Sequence, residues 1–436
     1  FSGEKTLPAD KLSGMLQSFP FSKQQQTVLE ETYWNFYYGT NTFQRIKYII
    51  SQFEKCNHLN TADWSFPECN TTYNNESNFL CGSQSILNAI TYLLSRNSTI
   101  SSSVYTNFPY TQNKIDKLFY SFVLKNQTLC LKHMICFNNS TNNTYTLGNI
   151  FHSIKYATRG INTLILSENN FSLPSVGIFP YFVVSETGTL LYDENIENGL
   201  LLLDSSINQK MMNYCNNLTE KCRPLAIFPK NAFELKSWLS SNTPINIGSC
   251  IGAEPCLTTL LTKDILYSIV NSALPDKDFI IESFSSWLKT SASPSDKILN
   301  FNSKKGFEYF MKTGKISHFP AEYSNALSPN QREQVLKKCM DNINNHEIIY
   351  YLIDDEHISR PDNINIELHS SDTIIIYGNF QENSSYLGEF IIPIKNHRIY
   401  NDFINLEDYF LKNRLYLDSQ HQMLFFQDLL LRLKNS

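Results

Sequence analysis

Hydrophobic positions along this chain follow two periods. Between residues 23 and 56 they recur at helical spacing: Leu29, Tyr33, Phe36 and Tyr37 form one stripe, and Phe43, Ile46, Ile49, Ile50 and Phe53 another. A polar, turn-rich segment runs from Asn57 to Asn78, and a helix is predicted from about Gln84 to Leu94. The Asn-rich residues 137–144 read as a loop, and Leu147 to Thr158 as a further helix. From Pro174 the period shortens. Ile178 to Glu186, Thr189 to Tyr192 and Leu200 to Leu203 read as strands, and a short helix over Ala232 to Leu239 precedes a strand over Pro244 to Ile251. Residues 257–300 read as a polar-faced helical insertion. Strands are predicted at Glu347 to Ile353, Thr373 to Tyr377 and Gly388 to Ile394. The tail 402–433 returns to helix, with Leu424, Phe425, Leu429, Leu430 and Leu433 apolar, the pattern of a docked helix. A helix-rich first half and a strand-rich second half predict an α+β fold, and no internal repeat is expected.

Composition narrows the class. At 436 residues and 42% hydrophobic content the chain forms one large decorated domain or two smaller ones, with ample core. A net charge of -5 and the lack of a long basic tract argue against nucleic acid as the main partner. No stretch approaches the roughly 18–20 uncharged apolar residues that span a bilayer. The chain begins at Phe1 without an initiator Met, so a removed signal peptide is expected. Ten cysteines, several close in sequence (Cys56 and Cys69, Cys130 and Cys136, Cys215 and Cys222, Cys250 and Cys256), fit an oxidising compartment and secretion. Sequons at Asn70, Asn97, Asn126, Asn170, Asn217 and Asn383 permit glycosylation there.

Two features carry candidate chemistry. Cys81-Gly82-Ser83 opens an apolar helix, and a helix N-terminus stabilises a thiolate; a structural cysteine is the plainer alternative. His346 stands at the start of one predicted strand, and Asn379 ends another, where its side chain can orient an imidazole. Asp354-Asp355-Glu356-His357 reads as a solvated loop, and no metal or cofactor is expected.

With these residues the chain resembles the papain-like cysteine peptidases. The resemblance is ordered: Asp63-Trp64, Gly148, Tyr156, Gly160-Ile161, Phe179-Pro180-Tyr181, Leu235-Lys236, Pro244-Ile245-Asn246-Ile247, Asn345-His346, Gly378-Asn379-Phe380 and Gly388-Glu389-Phe390 each resemble a family segment. It implies a two-lobed α+β fold with a cleft between the lobes: a helical lobe over about 75–175, and an antiparallel β-barrel-like lobe over about 176–256 and 301–396. Residues 1–58 stand where the family carries a prosegment, with a structural extension as the alternative. Residues 257–300 are an insertion, and 397–436 a helical extension.

The family motif carries two cysteines, of which the second is the nucleophile. The register that keeps Cys-Gly-Ser and Ala89 puts Cys81 on the first, disulfide-forming cysteine and Gln84 on the nucleophile. The resemblance then implies a Cys81–Cys136 disulfide, Cys130 bonded to Cys215 or Cys222, His346 at the base position, Asn379 as orienter, Asn78 at the oxyanion hole and Gly148 in substrate binding. An amide cannot form a thioester, so this register implies a secreted pseudo-peptidase that binds a protein partner or peptide. Docking is expected on the insertion or the C-terminal helices. The other register makes Cys81 the nucleophile of an active peptidase.

Overall fold

The computed structural model describes residues 7–57, 71–73, 78–96, 103–125, 130–136, 143–158, 161, 163–166, 178–229, 234, 247–252, 260–272, 277–282, 285, 298–316, 324–345, 348–353, 364–369, 372–379 and 389–435. The chain divides into two compact units: an inner unit, Asn60–Ile227, and a split unit, Phe1–Leu59 with Phe228–Ser436. The boundaries fall near residues 59 and 228.

Helices α1 (Ala9–Ser18), α2 (Lys23–Tyr38) and α3 (Thr40–Asn57) open the split unit. Ser22 and Gln25 form a capping box that starts α2, and Gly39, at φ 81°, separates it from α3. Apolar positions Phe43, Ile46, Ile49 and Phe53 of α3 are buried.

The inner unit contains β1 (Asn78–Cys81), α4 (Ser83–Arg96), β2 (Ser103–Thr106), α5 (Asn113–Lys125), β3 (Cys130–Cys136) and α6 (Asn143–Ala157). It continues through β4 (Thr163–Leu166), β5 (Tyr181–Ser185), β6 (Gly188–Tyr192), β7 (Asn198–Leu202), α7 (Ser205–Thr219) and β8 (Cys222–Pro224). The strands form one sheet of order β1-β7-β6-β5-β2-β3-β4-β8. Helix α4 buries Ile86, Ala89, Ile90, Leu93 and Leu94, a one-faced i, i+3, i+4 pattern. These residues share a core with Val104, Val183, Leu190 and Leu201 of the sheet.

The rest of the split unit runs β9 (Ile247–Gly252), α8 (Lys263–Ile269), β10 (Ile298–Ser303), α9 (Lys304–Thr313), α10 (Pro329–Asn345) and β11 (Ile348–Ile353). Then follow β12 (Ile364–His369), β13 (Thr373–Asn379), β14 (Glu389–Lys395), α11 (His397–Lys412) and α12 (Ser419–Asn435). The sheet order is β11-β10-β9-β12-β13-β14. As the tail pattern predicts, α12 is docked, burying Phe426, Leu429 and Leu433 beside Phe307.

The two units repeat one topology. Strands β2, β3 and β4 are parallel neighbours joined through helices, and β2 then pairs antiparallel with the meander β5-β6-β7. Strands β9, β10 and β11, followed by β12-β13-β14, do the same. The match extends to single residues. Thr106 pairs with both His133 and Val183, as Cys250 pairs with both Asn300 and Glu367. Tyr181 faces Tyr192, as Asn365 faces Tyr377. Each meander feeds a helix capped by an Asx side chain: Asp204 accepts from Ser206 and Ile207 N–H, and Asn396 from Arg398 and Ile399 N–H.

This repeat overturns the expectation of a non-repetitive chain. It also overturns the papain-like two-lobed layout. The stretch expected to be a helical lobe carries β1 to β4, and each unit holds a mixed sheet with parallel strands. What stands of the fold class is its coarser form, mixed α and β with two mixed sheets. The residues expected as an insertion include α8 and run into β10. Among the described residues no helix is long and apolar enough to cross a membrane.

Candidate functional site

Most of the residues singled out from sequence lie among the described residues. Cys81 ends β1, is exposed and is a free thiol. This contradicts the Cys81–Cys136 disulfide; the Cys136 side chain lies outside what is described. Cys130 and Cys215 are also free thiols, so the second expected pairing, which needed Cys130, is absent as well. Gln84, in the first turn of α4, is exposed and donates to Asn88 at 2.9 Å. Asn78 pairs through its backbone with Leu201. Gly148 is buried in α6 where a Cβ would meet the Tyr110 ring at 2.4 Å, so the glycine serves close packing. Asn379 pairs with Glu389 at the end of β13, in the split unit, whereas Gln84 belongs to the inner one. His346 lies outside the described residues.

A different set of residues gathers on the split unit's sheet. Paired residues of neighbouring strands share a face, so the registers place Asn300, Cys250, Glu367 and Ile375 in one row across β10, β9, β12 and β13. Two residues along the strands, Asn365 and Tyr377 flank this row on one side and His369 on the other, all on the same face. Asn300, Asn365, Glu367 and His369 are buried. Tyr377 donates its hydroxyl to Glu367 Oε1 at 3.0 Å, and His369 Nε2 lies 3.2 Å from Glu367 Oε2. A carboxylate only accepts, so His369 donates its Nε2–H to Glu367. Among the described residues, His369 Nδ1, Asn300 Oδ1 and Asn365 Oδ1 are buried without a hydrogen-bond partner. An orphaned buried polar atom costs about 1–3 kcal/mol. Three on one sheet face make it a candidate for contact with a polar ligand.

The opposite face of the same sheet carries Ser249, which donates to Glu407 of α11. Burial raises the Glu407 carboxyl to about 8, against a smaller opposing effect of the Ser249 hydrogen bond. A carboxyl whose folded pKa is raised contributes most below its unfolded value; that contribution is lost as pH climbs from about 4.5 through 8. Glu407→Gln keeps a hydrogen-bond acceptor without the charge. It should add on the order of 3 kcal/mol at pH 7 and almost nothing at pH 4.5, read from urea melts at both values.

The inner unit holds a second polar group. Asp116 of α5 accepts from Lys155 at 2.6 Å and from Tyr156 at 3.0 Å, with His152 Nδ1 at 3.5 Å. Burial opposes the carboxylate, but the His152 ring and the Lys155 ammonium more than offset it and hold its pKa below the usual range. Burial pushes His152 down to about 4 and His133 to about 3, so both rings are neutral at pH 7. Burial also raises the thiols of Cys215, to about 12, and Cys339, which makes them inert as nucleophiles. Among the described residues no cluster of three metal-ligating side chains occurs.

No protein-family model matches the chain, and no curated protein matches it. Three solved structures show weak likeness. TrmBL2, an archaeal chromatin protein whose structure shows a novel mode of DNA binding, is 12% identical over 45% of this chain and 70% of its own, at a TM-score of 0.27. Phosphatidylserine synthase of Haemophilus influenzae Rd KW20 is 10% identical over 84% and 91%, at 0.26. Nuc of Salmonella typhimurium, a phospholipase D family member, is 12% identical over 34% and 98%, at 0.23. Likeness of this degree assigns no activity. The repeated mixed sheets and the free Cys81 overturn the papain-like resemblance. The catalytic, oxyanion-hole and substrate-binding roles of Gln84, His346, Asn379, Asn78 and Gly148 rested on it and go with it.

Proposed function

We propose that this chain is a binding protein built from two copies of one α/β unit, which contacts a polar ligand through the sheet face bearing Asn300, Asn365, Glu367 and His369. One observation carries the reading: two carboxamide oxygens and one imidazole nitrogen on that face are buried with no partner among the described residues. A ligand with N–H or O–H donors satisfies all three. The same atoms left alone are a standing cost to stability, the usual mark of a site kept for function. Asn300 and His369 are each 1% exposed, so ligand entry is coupled to opening of whatever covers this face.

The His369–Glu367 pair favours a second reading. An imidazole oriented by a carboxylate, with its other nitrogen unpartnered among the described residues, is the arrangement of an acid–base catalyst. One set of assays separates the two. The full chain is tested for turnover of a fluorogenic peptide, a p-nitrophenyl ester and bis-p-nitrophenyl phosphate. The binding reading expects no turnover. Turnover lost in His369→Gln, with an unchanged thermal melt, would replace it by the acid–base reading.

A further inference from the structure

Two imidazoles, His133 and His152, are buried side by side in the inner unit. We propose that His133 Nδ1, His152 Nε2 and Thr163 Oγ1 together hold a single structural water that donates to both rings and accepts from the threonine. The proton positions follow from the partners of the other ring nitrogens. His133 Nε2 lies 2.8 Å from the Phe108 carbonyl oxygen, which only accepts, so Nε2 carries the proton and Nδ1 is a bare lone pair. His152 Nδ1 faces the Asp116 carboxylate at 3.5 Å, so its proton sits there and Nε2 is the bare nitrogen. The two rings lie 5.1 Å apart, centroid to centroid, inclined at 72°. Thr163 is the register partner of His133 on the neighbouring strand.

Among the described residues, each of the three atoms is buried without a partner, and the three residues are 0%, 7% and 1% exposed. Two lone pairs cannot satisfy one another. They need a guest with two donors, and the threonine hydroxyl needs an acceptor; water supplies all three roles, the usual number for a buried water. The rings are held for it on their other sides, His133 stacked on Phe108 at 4.5 Å and His152 edge-on to the same ring at 5.5 Å. A divalent metal fits the lone pairs but not the charge. Asp116 is already paired with Lys155 at 2.6 Å, so two further positive charges would stand uncompensated in the core.

The test uses the full chain, labelled with 15N, at pH 7. Long-range proton–nitrogen spectra are expected to show His133 protonated on Nε2 and His152 on Nδ1. Both rings should give cross-peaks to a long-lived water. Water relaxation dispersion should report one fewer such water in His133→Phe, which keeps the stacked ring but removes the acceptor. The opposite tautomer on either ring, or no cross-peak to water, overturns the proposal. So does one equivalent of zinc retained after incubation with zinc chloride and dialysis. Should His133→Phe fail to fold, the tautomers, cross-peaks and zinc analysis of the unsubstituted chain decide alone.

Discussion

Asp116→Ala is expected to remove about 3–5 kcal/mol of folding stability, the usual penalty for leaving a buried charge without its counterpart. Asp116 touches Lys155, Tyr156 and His152, and both Asp116 and Lys155 have side chains only 12% exposed. The alanine removes the carboxylate that lies 2.6 Å from the Lys155 ammonium, which also sits over the Tyr120 ring at 4.2 Å. Urea denaturation of the single variant, and of the double variant with Lys155→Met, reads the effect. The double variant should recover most of the loss, because neither charge then remains. A single-variant cost under about 1 kcal/mol, the range of exposed ion pairs, would contradict this account.

The same cluster sets the response to acid. His133 and His152 have folded pKa values below the unfolded value of about 6.5, so the unfolded chain takes up protons first as pH falls. Stability drains away between about pH 6.5 and the folded values of about 4 for His152 and 3 for His133. Asp116, also lowered, loses its contribution in the same direction as pH falls through its folded pKa. Glu407 works with the opposite sign, which is why its substitution separates the two units' pH profiles.

Arg45→Met is the second large effect, again about 3–5 kcal/mol. Arg45 Nε lies 2.7 Å from Asp402 Oδ1, whose side chain is 2% exposed, and this pair ties α3 to α11. Tyr38, donating to Asp408 at 2.8 Å, and Trp34, edge-on to Tyr409 at 5.1 Å, complete the contact. The first helices are thus part of the split unit's core, which supports a structural extension over a removable prosegment. Limited proteolysis should cut α1 to α3 faster in Arg45→Met, and Asp402→Leu in the same chain should restore protection. Unchanged cleavage would show that these helices are only lightly attached.

Much of the architecture was legible one element at a time. Helix α4, strand β7 and the docked α12 follow from apolar spacing, because each buries a single face, and β6 from a run that is buried throughout. The repeat was not legible. Its two copies keep Tyr192 and Tyr377 at one matched position and an Asx cap at another, while His133 matches Asn300 and Val183 matches Glu367. Strand pairing conserves backbone geometry and leaves side chains free to diverge, so only the registers reveal it. Strands β2 and β4 were missed because they have only four residues each, and β3 because Lys132 and His133 interrupt its apolar run.

The candidate site had a signal that went unused. Ile364-Asn365-Ile366-Glu367-Leu368-His369 alternates apolar and polar without a break, as does Leu299-Asn300-Phe301-Asn302, the pattern of a strand with one polar face. In a sheet buried on both sides that face must be satisfied or used. The Cys-Gly-Ser motif drew attention instead, but Gly82, at φ 84°, and Ser83 serve the turn from β1 into α4.

The most direct measurement of the central claim is ligand-observed NMR. A fixed mixture of polar fragments is compared on the unsubstituted chain and on the Asn300→Leu, Asn365→Leu double variant. Leucine matches the size of asparagine and removes the orphaned acceptors, so the double variant should fold at least as stably. The account predicts fragments that receive saturation transfer from the unsubstituted chain and none from the double variant. The same fragments binding both equally, or none binding either, would contradict it.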